Sequence, residues 1–136
     1  MNLTIQPFQA ADTDRLVAIL MRNGQYSHPE VEGPGPMRRA SESPTTIFLV
    51  AALDGSPVGL VRAVYDGTRA MIHLLSVDPD HQRRGIGRAL VRAVREVLIR
   101  RGAPTMSVTV TEDSAAFWQR LGFARIPVTL MLKDPI

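Results

Sequence analysis

The chain reads as an α/β or α+β domain on a mixed, mostly antiparallel sheet flanked by helices. Three observations predict it. Strand-like runs follow one another from Thr45 with only short turns between them. A strongly amphipathic helix leaves a glycine turn at Gly85 and Gly87. A further strand, a short helix and a last strand then interleave to the end.

The opening LTIQPF alternates apolar and polar residues, as a half-buried strand does. Leu16, Ile19 and Leu20 fall at helical spacing behind Asp12 or Thr13, both competent N-caps. Residues 24–44 hold Gly24, Gly33 and Gly35 with Pro29, Pro34, Pro36 and Pro44. That composition predicts a long loop with a short helix around Met37, and long loops in compact domains often carry function. TIFLVAAL is strand-like and DGSP makes a turn. VGLVRAVY is a second strand, Asp66-Gly67 a hairpin signal, and RAMIHLLSV a third strand, giving an antiparallel meander.

A helix is expected from about Gly85 to Arg101, with Ile86, Leu90, Val94, Val97 and Leu98 on one face. Gly102 supplies a left-handed cap, and Pro104 prevents continuation. MSVTVT is another alternating strand. Asp113 or Ser114 caps a short helix, SAAFWQRLG, that Gly122 ends. ARIPVTLMLK is predicted to close the chain as a strand, with Pro127 at a bulge or an edge.

A chain of 136 residues is sized for a single domain, 1–136, that folds without metals or disulfides. It has no cysteine, which excludes disulfide scaffolds, thiolate zinc sites and a cysteine nucleophile. The 16 basic and 13 acidic residues leave a formal charge of +3. So mild an excess suits a small polyanion as well as a nucleic acid. Arginines gather between Arg83 and Arg101, several flanking the glycine turn, which favours a local anion site over a broad basic face. The first residues lack a basic segment followed by a long apolar stretch, and no apolar run is long enough for a bilayer. A soluble cytoplasmic protein is the expectation.

The sharpest local signal is Gln82-Arg83-Arg84-Gly85-Ile86-Gly87, set between a strand and a helix. Its glycines let the backbone turn tightly and approach a ligand. The amides from Arg83 to Arg88 then face outward at a helix N-terminus, where unpaired N–H groups and the helix dipole attract an anion. Arg83, Arg84 and Arg88 add full charge, so a pyrophosphate is the natural guest. A dinucleotide-binding fingerprint needs a third glycine where this chain has Leu90, and a Walker A loop needs Gly-Lys-Ser/Thr, which is absent.

VDPDHQRRGIGRAL, from Val77 to Leu90, resembles the acyl-CoA signature Q/R-x-x-G-x-G/A of the GCN5-related N-acetyltransferases (GNAT). FWQRLGF, from Phe117 to Phe123, resembles the superfamily's second motif, close to F-Y-x-x-x-G-F. The two stand in the expected order with a strand between them, and the likeness covers about Ile72 to Phe123. The resemblance implies a sheet with splayed central strands and acetyl-CoA as co-substrate, with no metal. It implies that the amides of Arg83, Arg84, Gly85, Ile86, Gly87 and Arg88 hold the CoA pyrophosphate in a loop that Gln82 opens. Backbone groups of Leu75 and Val77 would bond the pantetheine like an added strand. Ser114, Phe117 and Trp118 would cover the other side of the cofactor arm, with Thr111 where relatives often have asparagine. Trp118 also occupies the place of the family's usual tyrosine acid, and Met71 that of its frequent glutamate.

Acetyl transfer to an amine needs the neutral amine, so an alkylammonium of pKa about 10.4 must first lose a proton. The tetrahedral oxyanion needs a donor, often a backbone N–H. Direct attack in a ternary complex needs no protein nucleophile. His73 is the candidate base: its ordinary pKa is about 6.5, and it shares strand parity with Met71, Leu75 and Val77. A structural histidine on a half-buried strand is the competing reading. Tyr26, His28 and Glu30 lie where substrate could be touched, but a solvated loop is the favoured reading of each; Tyr65 ranks below His73, and His81 is expected to be exposed.

The expected function is acyl-CoA-dependent N-acyltransfer, acetyl to a primary amine, with acceptor choice set in the 24–44 loop. A non-catalytic acyl-CoA sensor is the alternative, and nucleic-acid binding rests on the arginines alone. Neither nucleic acid nor membrane is an expected partner. A homodimer through an exposed strand edge is a further expectation.

Overall fold

The computed structural model describes residues 2–136. In chain order the elements are β1 (Leu3–Pro7), α1 (Thr13–Arg22), α2 (Pro29–Glu32), α3 (Pro34–Glu42), β2 (Thr46–Leu53), β3 (Ser56–Tyr65) and β4 (Ala70–Val77). α4 (Ile86–Arg100), β5 (Ser107–Val108) and α5 (Ala115–Arg120) follow. One sheet runs β1-β2-β3-β4-β5. Its first three pairings are antiparallel, and β5 lies parallel to β4 after the α4 crossover.

Helices cover both faces of this sheet. α4 lays Ile86, Leu90, Val91, Val94 and Leu98 on one face, against Ile47, Val61 and Ile72. On the other, Leu16, Ile19 and Leu20 of α1 and Met37 of α3 pack on Phe48, Val50 and Leu60. A strand buried on both faces needs apolar residues at every position, which is why TIFLVAAL does not alternate.

Residues 24–44 are more ordered than their composition predicts. Pro29 and Pro34 each sit at the start of a helix, where the missing N–H costs nothing and the fixed φ is already helical. Between them, a Cβ at Gly33 would fall 2.4 Å from the Pro29 carbonyl oxygen, so only glycine fits that junction.

Register slips in β3–β4: Ala63 faces Ile72 while Arg62 faces Leu74, leaving His73 as the extra residue of a bulge. Parity changes there. Ala70 and Ile72 join the α4 face, and beyond the bulge Leu75 and Val77 do so, while Leu74 packs on the α1 face. His73 therefore does not share parity with Leu75 and Val77.

β4 and β5 stay together for two rungs only, Met71 with Ser107 and Ile72 with Val108, and then part. The strand expected over Met106 to Thr111 is correspondingly short. The closing strand expected over residues 124–133 does not form. Val128 N–H donates to the Ile126 carbonyl at 2.9 Å, a three-residue turn centred on Pro127. Arg125 is drawn to Glu112 at 3.0 Å. Alternation alone could not supply a ladder partner, and Val128, Leu130 and Leu132 remain exposed. Among the described residues no helix is long and apolar enough to cross a membrane.

Candidate active site

The parting of β4 from β5 opens a cleft of about 540 Å³. Its walls are the far half of β4, the turn into α4, residues 108–111 and the start of α5. Asp78 N–H still bonds the Val58 carbonyl of β3, while the carbonyls of Leu75 and Val77 receive donors from outside the sheet. Odd-numbered residues at this end of β4 thus turn their backbone polar groups away from β3, N–H and C=O alike. Gln25 Nε2 reaches Leu75 O at 3.2 Å. Val77 O accepts from Asn23 Nδ2 at 2.8 Å and Gln82 Nε2 at 3.0 Å.

At one end of the cleft the chain makes two left-handed steps, Arg83 at φ 64° and Gly85 at φ 82°. Alternation of this kind turns successive N–H groups into a concavity that suits an anion. Gly85 is the N-cap of α4 and has no side chain to cap it. The first bond back into the helix is Ala89 N–H to Gly85 O at 3.0 Å, so the N–H groups of Ile86, Gly87 and Arg88 precede the ladder. A Cβ at Gly87 would meet Phe117 Cζ at 3.3 Å, so its missing side chain lets α5 close on the turn. Arg83 and Arg88 line the cleft; Arg84 is exposed outside the lining.

Behind this turn stands an ionic network. Asp78, almost fully buried, accepts from Arg15 and Arg22 of α1, and His81 Nδ1 lies 3.3 Å from it. His81 is therefore partly buried and lines the cleft, where the sequence predicted exposure.

The opposite wall is aromatic. Trp118 is buried, with Phe117 and Phe123 edge-on to it at 5.2 and 5.3 Å between ring centroids. Its indole belongs to the α4-side core while also contributing to the cleft wall. Thr111 and Ser114 bond each other across the start of the short helix, hydroxyl to hydroxyl at 3.2 Å.

His73 reaches the cleft from the bulge. Partial burial holds its pKa below the ordinary histidine value, and the Arg62 guanidinium adds to this while Glu32 opposes it. Arg62 Nη2 donates to Glu32 at 2.7 Å over the Phe48 ring, fastening α2 to the sheet beside His73. Met71 pairs with β5 and does not line the cleft. Tyr26 packs on the α1-side core, Tyr65 on the α4-side core, and His28 pairs with Glu30 on the surface at 2.9 Å.

Of the residues singled out from sequence, His73, Leu75, Val77, Gln82, Arg83, Gly85, Ile86, Gly87, Arg88, Thr111, Ser114, Phe117 and Trp118 converge on this cleft, and Arg84 does not. Sequence reasoning missed Gln25, Leu74, Thr109 and Arg120 in the lining. Gln25 carries no local signal, because it comes 50 positions away from Leu75 only through the fold.

A family model described as "Acetyltransferase (GNAT) family" matches residues 13–123. An acetyltransferase of Yersinia enterocolitica is 32% identical over 119 residues, covering 84% of this chain and 80% of that protein. Among solved structures, the PaiA N-acetyltransferase of Thermoplasma acidophilum in complex with coenzyme A superposes with a TM-score of 0.84 at 16% identity, covering 95% and 94% of the two chains. An aminoglycoside N-acetyltransferase, AAC(6')-Iy in complex with CoA, does so with 0.81 at 15% identity, covering 99% and 96%. The chain belongs to the GNAT family of acetyltransferases.

Proposed function

We propose that the cleft binds acetyl-CoA and that the protein transfers its acetyl group to a primary amine by direct attack in a ternary complex. One observation carries this reading: parted strands lead straight to a helix N-terminus whose N-cap, Gly85, has no side chain. An extended arm ending in a pyrophosphate fits that shape. CoA-bound relatives of the same fold add support.

The thioester supplies an activated acyl carbon: the amine nitrogen forms the C–N bond, the C–S bond breaks, and CoA leaves as thiolate. The chain's own groups do the rest. Amides from Arg83 to Arg88 hold the diphosphate, with Arg83 and Arg88 adding charge. A cleft-facing N–H of β4 donates to the oxyanion. His73, neutral near pH 7 because its pKa is depressed, takes the proton of the attacking amine. Trp118 stays in its aromatic stack and gives up no proton, so the leaving thiolate takes one from water. The segment 24–44, fastened beside His73 by Glu32 and Arg62, forms the acceptor side. A homodimer is the assembly that the exposed apolar stretch near Val128 and Leu130 fits, and light scattering in solution tests it.

A panel of small amines, polyamines, aminoglycosides and peptide N-termini, read by CoA release, tests the transfer. Acetyl-CoA binding with no amine consumed would instead make the protein a sensor.

A further inference from the structure

Asn23 is spent entirely on the junction from which the anion turn departs. Its Nδ2 donates to Ser76 Oγ at 2.7 Å and to Val77 O at 2.8 Å. Its Oδ1 accepts from Gln82 Nε2 at 3.3 Å. Gln82 in turn donates to Val77 O at 3.0 Å, which engages both lone pairs of that carbonyl. The side chain of Gln82 is thus folded back into the protein, and only its backbone continues toward the anion.

The base from which Asn23 reaches is rigid. It is the C-cap of α1, held by its own N–H to Ile19 O at 3.1 Å. α1 is fixed by the fully buried Leu16, Ile19 and Leu20 and by Arg22 on Asp78. A loop that must offer amides to a diphosphate binds best when its entry point is already set, since ordering it on binding costs affinity.

We propose that Asn23 is the positioning residue of the anion turn, clamping Gln82 to the end of β4 so that the amides from Arg83 to Arg88 stand ready for a diphosphate. This rests on the cofactor reading above.

Calorimetric titration of the full chain with CoA tests it, using wild type, Asn23→Ala, Gln82→Ala and the double variant, with thermal melts alongside. Each single change is expected to weaken CoA binding by about tenfold, the worth of one or two hydrogen bonds. Both break one clamp, so the double variant should lose little more than either single, which a general loosening of the fold would not produce. Should Asn23→Ala fail to fold, Gln82→Met keeps the length of that exposed side chain but loses its donor to Asn23 Oδ1 and Val77 O, and is expected to show the same weakening. Variants that bind CoA as tightly as wild type, or losses that simply multiply in the double variant, would overturn the clamp and leave the cofactor reading intact. Wild type without CoA binding would overturn the cofactor reading itself, and the clamp with it.

Discussion

Gly85 and Gly87 stand two positions apart for different reasons. Gly85 lies at φ 82°, where a side chain is strained, yet nothing would touch its Cβ. Gly87 has no such backbone demand, but its Cβ would crowd Phe117 at 3.3 Å. Gly87→Leu is therefore expected to push α5 off the turn and weaken CoA binding by at least about tenfold, with the far-ultraviolet circular dichroism unchanged. Retained affinity in that variant would detach the turn from the cofactor. At His73 the sign of the pH effect follows from the depressed pKa. A base works when unprotonated, so activity should rise with pH through a value below about 6.5 and then level. His73→Ala should lower kcat about a hundredfold, leave CoA affinity in place and erase that limb. The glycine turn with Arg83 and Arg88 was legible as a cleft-lining segment because its pattern is local, whereas Arg84 stays outside the lining and His73 reaches it through a bulge that parity did not foresee. Asn23 and Gln25 were not legible, because the end of α1 and the residues just after it meet β4 only across 54 and 50 positions of chain.

Among the elements, α2 is tethered to the sheet by one ion pair. Arg62 and Glu32 form a largely buried pair, and Glu32 Oε2 and Arg62 Nη1 have no hydrogen-bond partner among the described residues. Glu32→Ala leaves Arg62 buried without a counter-charge, and a loss of about 3 kcal/mol in urea denaturation is expected. Arg62→Met combined with Glu32→Leu should recover most of it, because removing both charges removes the desolvation penalty. Prolines misled the reading of this region: they mark loops when inside an element, but Pro29 and Pro34 open helices. The amphipathic stripe of α4 was legible to within a residue at each end, since its period is unbroken and Gly102 stops it at φ 84°. Strand parity failed in β4, where a bulge shifts the faces at His73 without any glycine or proline to announce it.

At the scale of the whole molecule, the site is a defect in the sheet. Four strands pair in antiparallel ladders, and the fifth leaves its neighbour after two rungs. Periodicity located β1 to β4 and the β2-β3-β4 meander, but separation between neighbours is a tertiary property; only the family resemblance implied it. The failure at residues 124–133 has the same root, since an alternating pattern states which face is apolar and not which edge is vacant. Ile126, Val128, Leu130 and Leu132 are left in solvent. Light scattering at rising concentration is expected to show self-association, which Leu130→Lys should reduce. The central claim, that the opened sheet receives acetyl-CoA, is most directly tested by calorimetric titration with acetyl-CoA, with free CoA and ATP for comparison. Saturable one-to-one binding of acetyl-CoA and CoA, much tighter than ATP, is the predicted result. A folded protein that binds neither CoA species, or binds ATP equally well, would contradict it.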